Sequence, residues 1–381
     1  MKKQDVKPHS PRKKKESPEK RLRRQFLLGA GIPMGLLVAL LVCYTLFVYS
    51  QNPFIAHWRT IWIETAMSTW HHQWLATRFF PEEIINEVLL GVATDENVQG
   101  GGDALSTGEA EPPRMPQPAP EPERIDILNQ KNLTVGGKDY AGNTVLVNDI
   151  AEGLVISEIV GTGYRGKIML VDDPSRVYLG TTRYKNQTGE RILDMMANYG
   201  AIAGINASGF KDPDGEGNGG IVVGNSCSQG EFWGDHVGYY GSIVLTTDNK
   251  LVVGNISTWS TYTNIRDGIQ FSPVLIADGY KQVYGSAGYG LQPRTAIGQR
   301  PDGVIAMLII DGRDVTWSVG CTVGDMADIL AAYGVINAAC CDGGASSVLA
   351  YNGEVITKNC SLNPSLGRIL PNAFLVAPKE K

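Results

Sequence analysis

The chain has 381 residues, enough for one large domain or two ordinary ones, and its 43% hydrophobic content excludes a chain that is disordered throughout. Forty-five glycines without a collagen-like period point to many tight turns, hence to a strand-rich fold. The net charge of −5 hides an asymmetry: Met1 to Arg24 carry eleven Lys/Arg against Asp5, Glu16 and Glu19, a net +8 that leaves −13 on the remainder.

The basic tail, residues 1–25, directly precedes an apolar run, so it reads as a cytoplasmic topogenic signal and no nucleic-acid partner is expected. No Asp, Glu, Lys or Arg lies between Arg24 and Arg59, and residues 26–50 are long and apolar enough for a transmembrane helix, with Pro33 the one helix-unfriendly residue. Val48-Tyr49-Ser50-Gln51 offers no convincing signal-peptidase site, so the segment is expected to stay as an anchor. The positive flank should remain in the cytoplasm, which makes this a single-pass protein of the cell membrane with everything after about residue 50 outside, and makes the lipid bilayer a partner. Cys43 falls in the span, and Cys227, Cys321, Cys340, Cys341 and Cys360 follow it; the odd number leaves at least one thiol unpaired or bridging to another chain.

Residues 51–90 are rich in aromatics (Trp58, Trp62, Trp70, Trp74, Phe79, Phe80) at helical spacing and read as a juxtamembrane helical segment. His57, His71 and His72 lack a fourth ligand, so no metal site is assigned to them. Residues 91–124 combine Gly100-Gly101-Gly102 with a Pro/Glu run and read as a solvated linker, so the folded domain is expected over residues 125–381.

Within that domain, short Val/Ile-rich runs alternate with Gly, Asp and Asn turns: Lys167 to Val171, Val177 to Thr181, Ser242 to Leu245, Leu251 to Val253 and Val304 to Ile310 are predicted strands. Thr246 to Lys250 reads as a hairpin loop. Two helices are predicted. Thr188 can cap the first, whose apolar face is Ile192, Met195, Met196 and Tyr199, with Gly200 ending it. Thr322 with Asp325 three residues on can cap the second, whose apolar face is Val323, Met326, Ile329, Leu330 and Tyr333, with Gly334 closing it. Strands outnumber helices and do not alternate with them regularly, so the fold class is α+β, with mixed β-sheets and a few helices behind one N-terminal transmembrane helix.

The stretches Asp194 to Phe210 and Asp328 to Gly344 are identical at six of seventeen positions when aligned without gaps. Each reads helix, Tyr-Gly, buried strand, then a polar residue before glycine, which fits either chance or an internal pseudo-repeat. A true repeat would put Asn206 and Asp342 at related strand ends, where a site between the halves could form.

His236 is the only histidine after Ile125, which disfavours a serine-hydrolase triad or a His-rich zinc site. Polar residues concentrate instead at the ends of apolar strands, in Gly204 to Phe210, Pro293 to Gly298, Ile309 to Arg313 and Asp342 to Ser347, as loops converging on a pocket would.

Asn206-Ala-Ser-Gly-Phe, Pro293-Arg-Thr-Ala-Ile-Gly-Gln, Ile310-Asp-Gly-Arg, Asp342-Gly-Gly-Ala-Ser-Ser and Arg368 with Pro371-Asn-Ala-Phe are similar, in this order, to the motifs of the phosphodiester glycosidase family. That family includes a lysosomal enzyme that removes N-acetylglucosamine to uncover mannose 6-phosphate, and many bacterial proteins linked to exopolysaccharide. The resemblance covers about residues 150–378. The chain departs from the family in having Cys340-Cys341 before Asp342, where Asn-Leu is usual, and Ser208 where Gly is common.

The resemblance implies a hydrolase that cleaves a sugar-1-phosphodiester to free sugar and a phosphomonoester; with the topology expected from the basic flank, it would act outside the cytoplasm, in cell-surface or extracellular polysaccharide. A phosphate leaving group is already a stable anion, so neutralising it matters more than protonating it, and the planar fork of arginine binds two of its oxygens. Arg294, Arg313 and Arg368 are therefore the candidate phosphate ligands. Asp342 is the first candidate for the carboxylate acting on water or on positive charge at the anomeric carbon, and Asp311 the second. Asn206, Thr295, Gly343, Gly344, Ser346 and Ser347 are further candidate substrate contacts. No cofactor is implied; Asp212, Asp214, Glu216 and Asn218 alternate as in calcium loops but lack the complete spacing. Two rivals remain: a non-catalytic glycan-phosphate binding or exopolysaccharide assembly factor, and a thiol hydrolase using Cys340 or Cys341 with His236.

Overall fold

The computed structural model describes residues 17–26, 29, 31–68, 72–90, 99–101, 104–105, 129–213, 217–256 and 258–380. It divides into two units, residues 1–59 and 60–381. The smaller unit holds helices α1 (Pro18–Phe26) and α2 (Ile32–Tyr49) and the start of α3 (Pro53–Met67). In α2, eighteen residues of mean hydropathy 2.2 are almost wholly exposed, so this helix is long and apolar enough to cross a membrane. Pro33 falls in its first turn, where no intrahelical N–H is missed. At the other end Arg59 Nη1 donates to the carbonyls of Phe47, Val48 and Ser50, satisfying acceptors that the end of α2 leaves open.

The larger unit begins with the rest of α3, then α4 (Trp74–Thr77) and α5 (Glu82–Leu90). Trp62 reaches beyond its own helix. Its Nε1 donates to the Leu75 carbonyl at 3.1 Å and its ring meets Phe80 edge-on at 6.3 Å.

The body is α+β: three sheets of six, eight and five strands, in which every pairing among the described residues is antiparallel. All five predicted strands are present, at Tyr164–Val171, Val177–Thr181, Ser242–Thr246, Leu251–Gly254 and Ile305–Ile310. The hairpin loop closes as expected, with Thr246 N donating to the Lys250 carbonyl and Asn249 at φ 64°. Residues of all three sheets, among them Ile156, Leu179, Ile205, Ile243, Met307 and Phe374, share one core.

Helix α6 (Ile192–Tyr199) buries Ile192, Met195 and Met196 against the five-stranded sheet, and α7 (Val323–Ala332) buries Val323, Met326 and Leu330 against the eight-stranded one. The Thr322–Asp325 capping box of α7 is formed as predicted. The cap of α6 is not. Thr188 turns its hydroxyl to the Gly189 and Asn218 carbonyls, and Arg191 stands at the cap with its Nη1 donating to the Gly367 carbonyl rather than capping the helix, because Glu190 is pinned by a bridge to Leu370.

Part of the expected linker is folded. Gln99–Gly100 pairs with Val253 and Gly254 at the edge of the six-stranded sheet, and Ala104 and Leu105 pack beside Val252 and Trp259.

Candidate active site

The strand Ala203–Asn206 runs in the five-stranded sheet between Leu349–Tyr351 and Asn372–Val376. The strand Asn337–Cys341 runs in the eight-stranded sheet between Val274–Ala277 and Arg294–Gln299. Their ends meet. Asp342 N donates to the Ala207 carbonyl at 2.9 Å, and Asn206 Nδ2 donates to the Asp342 carbonyl at 2.6 Å.

Over this seam lies a cavity of about 910 Å³. Its wall carries Arg191, Arg294, Arg313 and Arg368 against Asp212 and Asp342, a net charge of +2 suited to an anion. Tyr239, Tyr240, Phe271 and Tyr289 add an aromatic side, with Tyr239 and Tyr240 edge-to-face at 4.7 Å.

Each cation is oriented by protein groups. Arg294, 8% exposed, donates through Nε to the Cys321 carbonyl and through Nη2 to those of Tyr289 (2.7 Å) and Gly290 (2.8 Å). Nη1 is left as its one nitrogen without a protein acceptor among the described residues. Arg313, in the left-handed region at φ 61°, rests Nε and Nη2 on Gln292 Oε1. Arg368 pairs with Asp212 at 2.7 Å and lies over the Phe210 ring at 4.7 Å.

Asp342 is half-buried in the wall, and Gly343 and Gly344 follow it into a 3-10 turn that places the Ser346 hydroxyl on its carboxylate. Burial pushes the Asp342 carboxyl up to about 6, against the pull of that hydroxyl, the Arg368 charge and the Gly343 amide. A carboxylate titrating just below neutrality is placed for proton transfer at pH 7.

Comparison with known proteins identifies the assembly, since residues 199–377 match the family model described as phosphodiester glycosidase. This stretch belongs to the phosphodiester glycosidase family. It is 31% identical over 196 residues to the SPbeta prophage-derived uncharacterized protein YomE of Bacillus subtilis (strain 168), a match covering 48% of this chain and 29% of YomE. The chain thus spans under a third of that relative's length. Among solved structures, the catalytic domain of zebrafish N-acetylglucosamine-1-phosphodiester alpha-N-acetylglucosaminidase, auto-inhibited by its pro-peptide, superposes with a TM-score of 0.49 at 19% identity, over 59% of this chain and 82% of that one. A hypothetical protein from Synechocystis gives 0.43 at 15%, over 62% and 64%.

In this phosphodiester glycosidase domain, Asp342, Gly343, Gly344, Ser346, Arg294, Arg313 and Arg368 line one cavity. Four expected contacts stand behind the wall instead. Asn206 is fully buried, with Oδ1 accepting from Thr295 Oγ1 (2.8 Å) and Val348 N (3.1 Å), so it and Thr295 brace the Asp342 backbone. Ser347 is buried, and its hydroxyl has no hydrogen-bond partner among the described residues. Asp311 is buried where Trp317 Nε1 and Lys358 N donate to its two carboxylate oxygens, which makes it a clamp between loops; burial raises its carboxyl above the usual range.

Arg191, Asp212, Gln292 and the tyrosine pair were not singled out for the cavity by sequence reasoning. Gln292 directly precedes the Pro293-Arg294 motif, and Tyr239-Tyr240 sits between glycines, both local signals; Arg191 offers none. Asp214 and Glu216 of the calcium-like loop lie outside the described residues, and Asp212 is engaged by Arg368.

Cys340 and Cys341 lie on the cavity wall, but burial pushes the Cys340 thiol up to about 11 and holds Cys341 well above its usual value. The ring of His236 meets Gln270 rather than a thiol. This geometry does not support a cysteine nucleophile.

Proposed function

We propose that the chain is a membrane-anchored glycosidase that hydrolyses a sugar-1-phosphodiester outside the cytoplasmic membrane, in cell-surface or extracellular polysaccharide. The observation that carries this reading is one cavity holding four guanidiniums and a carboxylate raised to about 6. Arg294, Arg313 and Arg368 hold the phosphodiester oxygens and stabilise the negative charge that grows as the bond to the anomeric carbon breaks. Ionised Asp342 takes a proton from water as its oxygen adds to that carbon. The C1–O electron pair leaves with the phosphomonoester, which needs no proton to depart. The aromatic side, led by Tyr239 and Tyr240, accommodates a sugar face.

For the anchor, helix α2 and the basic residues before it support an N-terminus in the cytoplasm and the larger unit outside. The test is incubation of the full chain in detergent with a panel of sugar-1-phosphodiesters, following release of free sugar. Binding without turnover across the panel would replace the enzyme with a glycan-phosphate binding factor.

A further inference from the structure

We propose that the last turn of α3, Glu64 to Met67, with the adjoining Ser68, is a positioning element of the phosphate site, setting the glycine-rich loop that aims Arg294 and Arg313. The inference rests on reading the arginine cavity as a phosphate site. It concerns residues more than a hundred positions before the matched family region.

The loop Gly285-Ser-Ala-Gly-Tyr-Gly-Leu-Gln292 has little conformational preference of its own: Gly285, Ala287, Gly288 and Gly290 all take positive φ. Its ends are held by Gly324 N on the Gly285 carbonyl and by the Gln292–Cys321 bridge, and its middle is held by α3. Glu64, 3% exposed, accepts from Gly288 N through Oε1 at 3.0 Å, and Thr65 Oγ1 accepts from Leu291 N at 2.9 Å. Gln292 Nε2 donates to the Thr65 carbonyl and to Ser68 Oγ, both at 3.1 Å. The fit is close, since a Cβ on Gly290 would meet the Thr65 backbone at 2.6 Å.

The loop's remaining groups then point the cations. The Tyr289 and Gly290 carbonyls hold Arg294 Nη2, and Gln292 Oε1 holds Arg313. Helix α3 thus takes up the loop amides while the loop carbonyls orient one guanidinium, and the two ends of one glutamine join α3 to the other. Ser68 itself reaches the cavity wall.

Thr65→Val keeps the shape and removes the acceptor; Thr65→Ser keeps the hydroxyl. In the full chain, inorganic phosphate affinity measured by calorimetry should fall about two- to tenfold in Thr65→Val, the worth of one hydrogen bond, and return in Thr65→Ser. On a sugar-1-phosphodiester, KM should rise by a similar factor with a smaller change in kcat. Glu64→Leu and Glu64→Gln form a second pair, the glutamine retaining an acceptor for Gly288 N. Unchanged phosphate affinity and KM in folded Thr65→Val and Glu64→Leu, or Thr65→Ser as impaired as the valine, would overturn the proposal. A wild-type chain that binds phosphate without hydrolysing diesters removes the enzymatic reading and leaves this one intact; one that binds no phosphate overturns it.

Discussion

Asn206 and Asp342, 136 residues apart, are joined by a 2.6 Å hydrogen bond from the Asn206 side-chain amide to the Asp342 backbone carbonyl, so one amide fixes the base of the proposed catalytic carboxylate. The same amide accepts from Thr295 and Val348, and every polar atom of the Asn206 side chain is used. Asn206→Asp keeps both acceptor roles but sets a buried charge against the Asp342 carbonyl. Equilibrium denaturation should record a loss of about 2–4 kcal/mol, with turnover falling as well. Unchanged stability would mean that the latch is not formed.

For Asp342, two opposed effects should separate. Its carboxyl titrates near 6 in the fold against an ordinary value of 3.8, so the folded state holds this proton more tightly than the unfolded chain. The fold therefore loses stability as pH rises from about 4 to about 6, and above that range an ionised Asp342 is a net burden. Asp342→Asn should gain roughly 1–3 kcal/mol at pH 7, a gain that disappears below about pH 4. Turnover should drop by about two or more orders of magnitude, and in the parent chain kcat/KM should climb through pH 6 and then level. A well-folded Asp342→Asn chain with near-normal hydrolysis would remove the assignment.

Arg294→Lys tests geometry rather than charge. Lysine keeps the cation but cannot reach the Cys321, Tyr289 and Gly290 carbonyls together while presenting a further N–H to the cavity. Phosphodiester kcat/KM should fall by roughly 10- to 100-fold with folding preserved in near-UV circular dichroism. Equal activity would show that a point charge suffices there.

What was legible in the sequence was local. The Thr322–Asp325 box needs partners only three residues apart, and it formed as read. Arg294, Arg313 and Asp342 lie in motifs at predicted strand ends, while Arg368 and the roles of all four came from the resemblance to the phosphodiester glycosidase family. Thr188 failed as a cap because Glu190 is held to Leu370, a partner from the far end of the chain. Asn206 was recognised as a strand-end amide, but whether its side chain faced the cavity or the seam depended on Asp342 and Thr295, which no local pattern encodes. The loop contacts of Glu64 and Thr65 join segments over two hundred residues apart and leave no trace in periodicity.

The edge strand at Gln99–Gly100 supplies the last prediction, because its glycines read as linker and prove to be structural. Gly100 pairs with Val253, Gly101 N donates to Asp278 Oδ1 at 2.7 Å, and Asn264 Nδ2 donates to the Ala104 carbonyl at 2.7 Å. A Cβ on Gly100 would meet the Ala277 Cα at 2.7 Å, so glycine is needed here for close approach rather than for flexibility. Gly100→Val should cost about 1–3 kcal/mol, the usual range for overpacking a closely fitted site. Deleting residues 106–120, whose Pro/Glu-rich composition cannot build a core, should leave the denaturant midpoint unchanged, whereas extending the deletion back to residue 99 should lower it. If Gly100→Val and the longer deletion both match the parent chain, the edge strand contributes nothing to the stability of the body.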